Sequence, residues 1–121
     1  MSEIPSRILC VDDEEPILLT RRHLLERAGY LVFTAKTGKG GIDIFREQPI
    51  DVVILDYWMT GMDGLDVATE MRRINHKIPI IISSAYASIL DEGLGRIDLW
   101  LRKGEGDAAQ LLTAVTQLLN R

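Results

Sequence analysis

The sequence predicts an α/β fold, a parallel sheet covered on both faces by helices, and three observations carry that reading. Its apolar runs are continuous rather than alternating: Arg7-Ile8-Leu9-Cys10-Val11, Ile50-Asp51-Val52-Val53-Ile54-Leu55 and Pro79-Ile80-Ile81-Ile82. Strand-like and helix-like stretches alternate through five repeats. Each of these runs then ends in polar groups, Asp12-Asp13, Asp56 and Ser83-Ser84 respectively. Parallel strands bring those groups to one edge of the sheet, and the crevice beyond the carboxyl ends is where such sheets bind ligands.

The elements follow in order. After the first strand, the pattern predicts a helix over 14–27, with Pro16 tolerated in its first turn and Gly29 as its stop. A second strand over 31–35 precedes a helix over 39–46 that contains Gly40-Gly41, and each glycine costs about 1 kcal/mol against alanine, so this helix is expected to be weak. The third strand leads through Gly61 and Gly64 to a helix over 65–74. The fourth leads to a short helix over 88–94, and the fifth, Ile97-Asp98-Leu99-Trp100-Leu101, runs into Arg102-Lys103-Gly104 and supplies a counter-charge. Asp107-Ala108-Ala109-Gln110 resembles a capping box ahead of the apolar stripe Leu111, Leu112, Val115, Leu118 and Leu119.

Length and composition bound the function. The 121 residues suit one domain, 1–121, and 46% hydrophobic with 26% charged residues is an ordinary globular balance. A net charge of −4 argues against nucleic-acid binding, which needs clustered Lys and Arg. Arg21-Arg22 and Arg72-Arg73 read as solvated helix positions. No apolar stretch approaches the roughly 20 residues of a membrane helix. The Met1-Ser2-Glu3 start has no signal-peptide pattern, so a cytoplasmic protein is expected. Cys10, the single cysteine, reads as a small buried hydrophobe. His23 and His76 read as solvent-facing and receive no role.

An Asp after a strand also serves as a helix cap or turn residue. The ordered set is more telling than any one member. Ile8-Leu9-Cys10-Val11-Asp12-Asp13-Glu14, Gly29-Tyr30, Asp56-Tyr57-Trp58-Met59-Thr60-Gly61-Met62-Asp63-Gly64, Pro79-Ile80-Ile81-Ile82-Ser83-Ser84-Ala85 and Leu101-Arg102-Lys103 together resemble the receiver domains of bacterial two-component response regulators. The resemblance spans nearly the whole chain. It implies a doubly wound, flavodoxin-like three-layer sandwich with a five-stranded parallel sheet in the order 2-1-3-4-5.

The resemblance also implies roles. Asp56 would accept a phosphoryl group from a sensor histidine kinase or a phosphotransfer protein. Asp12, Asp13 and Asp56, with the backbone carbonyl of Trp58, would hold Mg²⁺. Lys103 would pair with one phosphoryl oxygen and Ser84 would donate a hydrogen bond to another; Ser84 is preferred because the family's hydroxyl directly precedes a small residue, here Ala85. Ser83 is read as a buried strand hydroxyl bonded to backbone. Such a domain is a signalling module, not an enzyme, and catalyses only its own phosphorylation and dephosphorylation. Its output would reach a downstream protein partner or a fused output domain, with homodimerisation as one route.

Four departures bear on this chain in particular. Gly104 stands where a proline usually follows the lysine, so a trans Lys103-Gly104 bond in a mobile loop is expected, and Thr60 likewise replaces a proline. The segment from Ser84 to Lys103 is shorter than in the family by roughly one helical turn. Trp100 replaces the Tyr or Phe that usually turns inward on activation. By the resemblance, Trp58 and Tyr86 would flank the path of the hydrolytic water and, as large aromatics, predict a long-lived phosphorylated form. The short helix and Gly104 also suit a phosphorylation-independent interaction module on a drifted receiver fold. A phosphohydrolase with a nucleophilic Asp would want a carboxylate where Trp58 stands.

Overall fold

The structure, a computed structural model, describes residues 4–84, 97–102 and 107–120. The expected short helix over 88–94 lies outside the described residues, as do Ala85, Tyr86, Lys103 and Gly104 with its peptide bond. Five strands form one parallel sheet: β1 (Arg7–Val11), β2 (Leu31–Ala35), β3 (Val52–Asp56), β4 (Ile80–Ser84) and β5 (Leu99–Arg102). The spatial order is β2-β1-β3-β4-β5, as the resemblance implies. Four described helices accompany them: α1 (Glu15–Arg27), α2 (Gly38–Glu47), α3 (Gly64–Ile74) and α4 (Asp107–Leu119).

Two cores sandwich the sheet, and strand alternation sorts the residues between them. Leu9, Val11, Val53, Leu55, Ile80 and Ile82 face α2 and α3. Ile8, Cys10, Val52, Ile54 and Ile81 face α1 and α4. Residues 52–56 and 80–84 are buried throughout, which is why both runs lack the alternation of a half-exposed sheet. Burial pushes the Cys10 thiol up to about 12, so it is an inert filler.

Local signals set the helix ends. Pro16 occupies the first turn of α1, and Gly29, at φ +99°, turns the chain beyond its C-cap Ala28. The Thr37 side chain accepts from the Gly40 N–H at 3.0 Å and caps α2. The glycines that weaken α2 intrinsically also let it sit close to its neighbours: a Cβ on Gly41 would lie 2.7 Å from Val11 Cγ2, and one on Gly38 2.7 Å from Val67 Cγ2. α4 already includes Asp107, whose side chain is outside the description. No helix among the described residues is long and apolar enough to cross a membrane.

The arginine pairs correct the sequence reading. Arg73 is exposed, but Arg22 donates to the Val32 carbonyl at 3.1 Å and Arg72 donates to Asp98 Oδ2 at 2.6 Å. Arg21 is buried outright. Long aliphatic stems let these residues lie along apolar surface while their heads find partners. Asp98 Oδ2 also accepts the Ile80 N–H at 2.8 Å, so one carboxylate ties the start of β4 to the entry of β5 and to α3. Asp98→Ala should lower stability by about 1–3 kcal/mol in urea denaturation, and Asp98→Asn, which keeps an acceptor for Ile80, by less. Equal losses would exclude the backbone contact as a contributor.

Candidate functional site

Strand polarity builds the site. β1 continues past Val11 through the Asp12 N–H, which donates to the Ala35 carbonyl at 3.1 Å, and so delivers Asp12 and Asp13 beside β3. β3 ends in Asp56, which is paired in register with Ser83 of β4. One oxygen of each of Asp12, Asp13 and Asp56 lies within 4.8 Å of the others, with Asp12 and Asp56 buried and Asp13 exposed. The three acids singled out in sequence are therefore brought together. Octahedral Mg²⁺ with bonds of about 2.1 Å places its ligand oxygens roughly 3–4 Å apart. The cluster has oxygen donors only and needs little contraction, so these residues fit that ion.

The other candidates divide. Ser84 is the last residue of β4, 1% exposed, and on the opposite face of the strand from Ser83 by alternation. Trp58 is 58% exposed in the loop after Asp56, its ring edge-on to Tyr57 at 4.9 Å. Tyr57 in turn meets Trp100 of β5 edge-on at 5.6 Å, so Trp100 points toward the α2 and α3 side and packs against the site loop. Lys103 lies outside the described residues. His23 and His76 are exposed, as expected.

The loop from Asp56 to Gly64 is held at both ends. The Tyr57 N–H donates to the Ser83 carbonyl at 2.9 Å, and the Gly64 N–H donates to the Tyr57 carbonyl at 2.8 Å. Gly61, at φ +92°, makes the turn between them. Asp63 and Asp66 form a reciprocal capping box at the start of α3, which accounts for Asp63 as a cap. Asp12 also has a local duty: its Oδ1 accepts the Glu14 N–H at 2.9 Å at the entry to α1.

One member of the site was missed in the sequence. Arg21, 2% exposed, places Nη1 3.6 Å from Asp12 Oδ2 and donates from Nη2 to Ser83 Oγ at 2.8 Å. Ser83 is thus a buried strand hydroxyl, as read, but its partner is the Arg21 guanidinium and not backbone. The signal was helical spacing: Leu18, Arg21 and Leu25 form the buried stripe of α1, which puts Arg21 among core positions. Among the described residues, the buried polar and charged side chains are Asp12, Arg21, Asp56, Ser83 and Ser84, and all of them gather at this end of the sheet.

A family model described as the response regulator receiver domain matches residues 8–94. The chain belongs to that family. Receiver domains are the phosphoacceptor folds of two-component systems, signalling domains rather than enzymes in the ordinary sense. This receiver domain is similar to the Thermotoga maritima response regulator TrrA, solved in complex with Mg(2+)-BeF: 34% identity, TM-score 0.88, 94% of this chain and 99% of that one. A response regulator receiver domain protein from Clostridium thermocellum is 34% identical with a TM-score of 0.86, over 96% and 95% of the two chains. The Vibrio cholerae chemotaxis protein CheY4 is 26% identical with a TM-score of 0.89, over 96% and 100%.

The close approach of α3 to β3 gives a test of the site's frame. A Cβ on Gly64 would lie 2.6 Å from the Asp56 carbonyl oxygen and 3.1 Å from Tyr57 Cα, both backbone atoms that cannot swing aside. Gly64→Ala should therefore destabilise this receiver domain by about 1–3 kcal/mol in thermal denaturation, although alanine in an open helix gains about 1 kcal/mol. A stabilised variant would show that the loop yields freely.

Proposed function

We propose that residues 1–121 act as one receiver domain in which Asp56 takes a phosphoryl group from the phosphohistidine of a histidine kinase or phosphotransfer protein, in a reaction that requires Mg²⁺. The observation that carries this reading is the convergence of the Asp12, Asp13 and Asp56 oxygens within 4.8 Å at the carboxyl ends of β1 and β3. The Mg(2+)-BeF complex of TrrA, a relative of 34% identity, supports a divalent cation at these acids. Asp12, Asp13 and Asp56, with the Trp58 carbonyl, would hold it. When bound, the ion offsets the repulsion between the carboxylates and the incoming phosphoryl oxygens.

The chain's own groups do the rest. An Asp56 oxygen attacks phosphorus, and the Oδ–P bond forms as the P–N bond to the donor imidazole breaks. The Ser84 hydroxyl donates to one phosphoryl oxygen and the Lys103 ammonium pairs with another, stabilising charge that spreads over these oxygens during transfer. The phosphorylated state then alters binding to a downstream protein or fused output domain in the cytoplasm, with self-association as a further route.

Incubation with acetyl phosphate and Mg²⁺ should add one phosphoryl mass to the wild-type chain, and chelation or Asp56→Asn should abolish the gain. Labelling that persists in Asp56→Asn would sink the assignment and leave a phosphorylation-independent module as the better account. Because Trp58 stands two residues beyond Asp56, Mg²⁺ titration should change tryptophan fluorescence in the wild type and not in Asp13→Ala. Identical titrations would count against these acids as the metal site.

A further inference from the structure

The buried guanidinium of Arg21 has no part in phosphoryl transfer as described above, yet it sits against one of the acids that would hold the cation. α1 contributes three buried side chains, and the middle one is a permanent positive charge. A buried charge persists in a fold only when it is paired and hydrogen-bonded. Two of its partners are known: Ser83 Oγ accepts from Nη2 at 2.8 Å, and Asp12 Oδ2 lies 3.6 Å from Nη1.

Asp12 is itself 0% exposed, and its other oxygen accepts the Glu14 N–H at 2.9 Å. Both of its carboxylate oxygens therefore already face positive or donor groups of the protein. A divalent cation approaching Asp12 meets a carboxylate whose charge is partly offset, and it meets the guanidinium's like charge as well. Strand alternation explains why the contact exists. Asp12 and Ser83 continue the sheet face formed by Ile8, Cys10, Ile54 and Ile81, which is the face that α1 covers.

We infer that Arg21 is a resident counter-ion of the acidic site: it stabilises Asp12 when no metal is bound and weakens the binding of divalent cations there. This rests on the reading of Asp12, Asp13 and Asp56 as the metal ligands. Removing the charge then has two opposite effects. The metal-free protein loses stability, because buried Asp12 loses the counter-charge that Arg21 supplies, while affinity for metal rises. A residue that only filled space would give the first effect without the second.

The experiment is Mg²⁺ titration by isothermal calorimetry, with thermal melting in chelator and in Mg²⁺, on the wild type, Arg21→Gln, Arg21→Met, Arg21→Lys and Asp13→Ala. Arg21→Gln and Arg21→Met should bind Mg²⁺ more tightly, on the order of tenfold, the size of effect seen when a group behind a metal ligand is changed. They should also melt lower in chelator and gain more from Mg²⁺ than the wild type does. Arg21→Lys, which keeps the charge, should stay near wild-type affinity. If a neutral variant is unfolded without metal, recovery of its native circular dichroism on adding Mg²⁺ supports the inference, and failure to recover overturns it. Unchanged or weaker affinity in the neutral variants overturns this inference alone, provided Asp13→Ala still abolishes binding. If Asp13→Ala binds like the wild type, the metal reading fails and the inference fails with it.

Discussion

All strands of a parallel sheet point the same way, so whatever ends one strand is set beside whatever ends its neighbours. Here β1 is paired on both sides, with β2 and with β3, and residues 8–11 have no freedom to shift or tilt. Asp12 cannot reach solvent by sliding along the strand, because a one-residue slip would turn every apolar side chain of β1 to the wrong core. The acids are therefore held together by the packing of residues far from them. α1, α2 and α3 all begin at this edge, at Glu15, Gly38 and Gly64, and their N-terminal dipoles bring a modest positive potential to it. Like charges that would disperse on an open surface are confined by a sheet whose stability comes mainly from its apolar layers.

Continuous apolar runs made the sheet legible, since burial on both faces removes the need for alternation. The acids were legible because carboxylates that interrupt such runs have few structural reasons to stand there in that order. What escaped reading was the set of arginines. On a helix an Arg-Arg pair suggests a solvated face, and only the phase of Leu18 and Leu25 places Arg21 inside. Arg72 was hidden for another reason: its partner Asp98 lies 26 residues away, and no local pattern foretells that contact. Ser83 could be recognised as buried, but not as the acceptor of a side chain 62 residues earlier. Strand ends were legible to within two residues, with β3 reaching Asp56 itself.

The aromatic residues form a second connection. Trp58, Tyr57 and Trp100 meet edge-to-face in sequence, from the loop after Asp56 to the strand at the sheet's edge. Trp100 is opposite Ile82 in the ladder, two residues before Ser84. A change in the loop at Tyr57 thus bears directly on β5 through ring contacts, without passing through the backbone of β4. The indole of Trp100 is only partly buried. It packs against the loop, while the rest of its strand faces α4 through Leu99 and Leu101.

The bond between Arg21 and Ser83 also constrains how this sequence can drift over generations. Exchange of Arg21 for an apolar residue strips a buried hydroxyl of that donor and takes the nearby cation from Asp12. Exchange of Ser83 for valine or alanine strips the guanidinium of that acceptor. Either step alone leaves one buried polar group without this partner, whereas the two together remove that particular cost and leave only the loss of the guanidinium beside Asp12. Positions 21 and 83 should therefore change together rather than singly, and only where Asp12 finds another counter-charge. A lineage that keeps both has exchanged some independence of its α1 and β4 positions for a positive charge built into its acidic pocket.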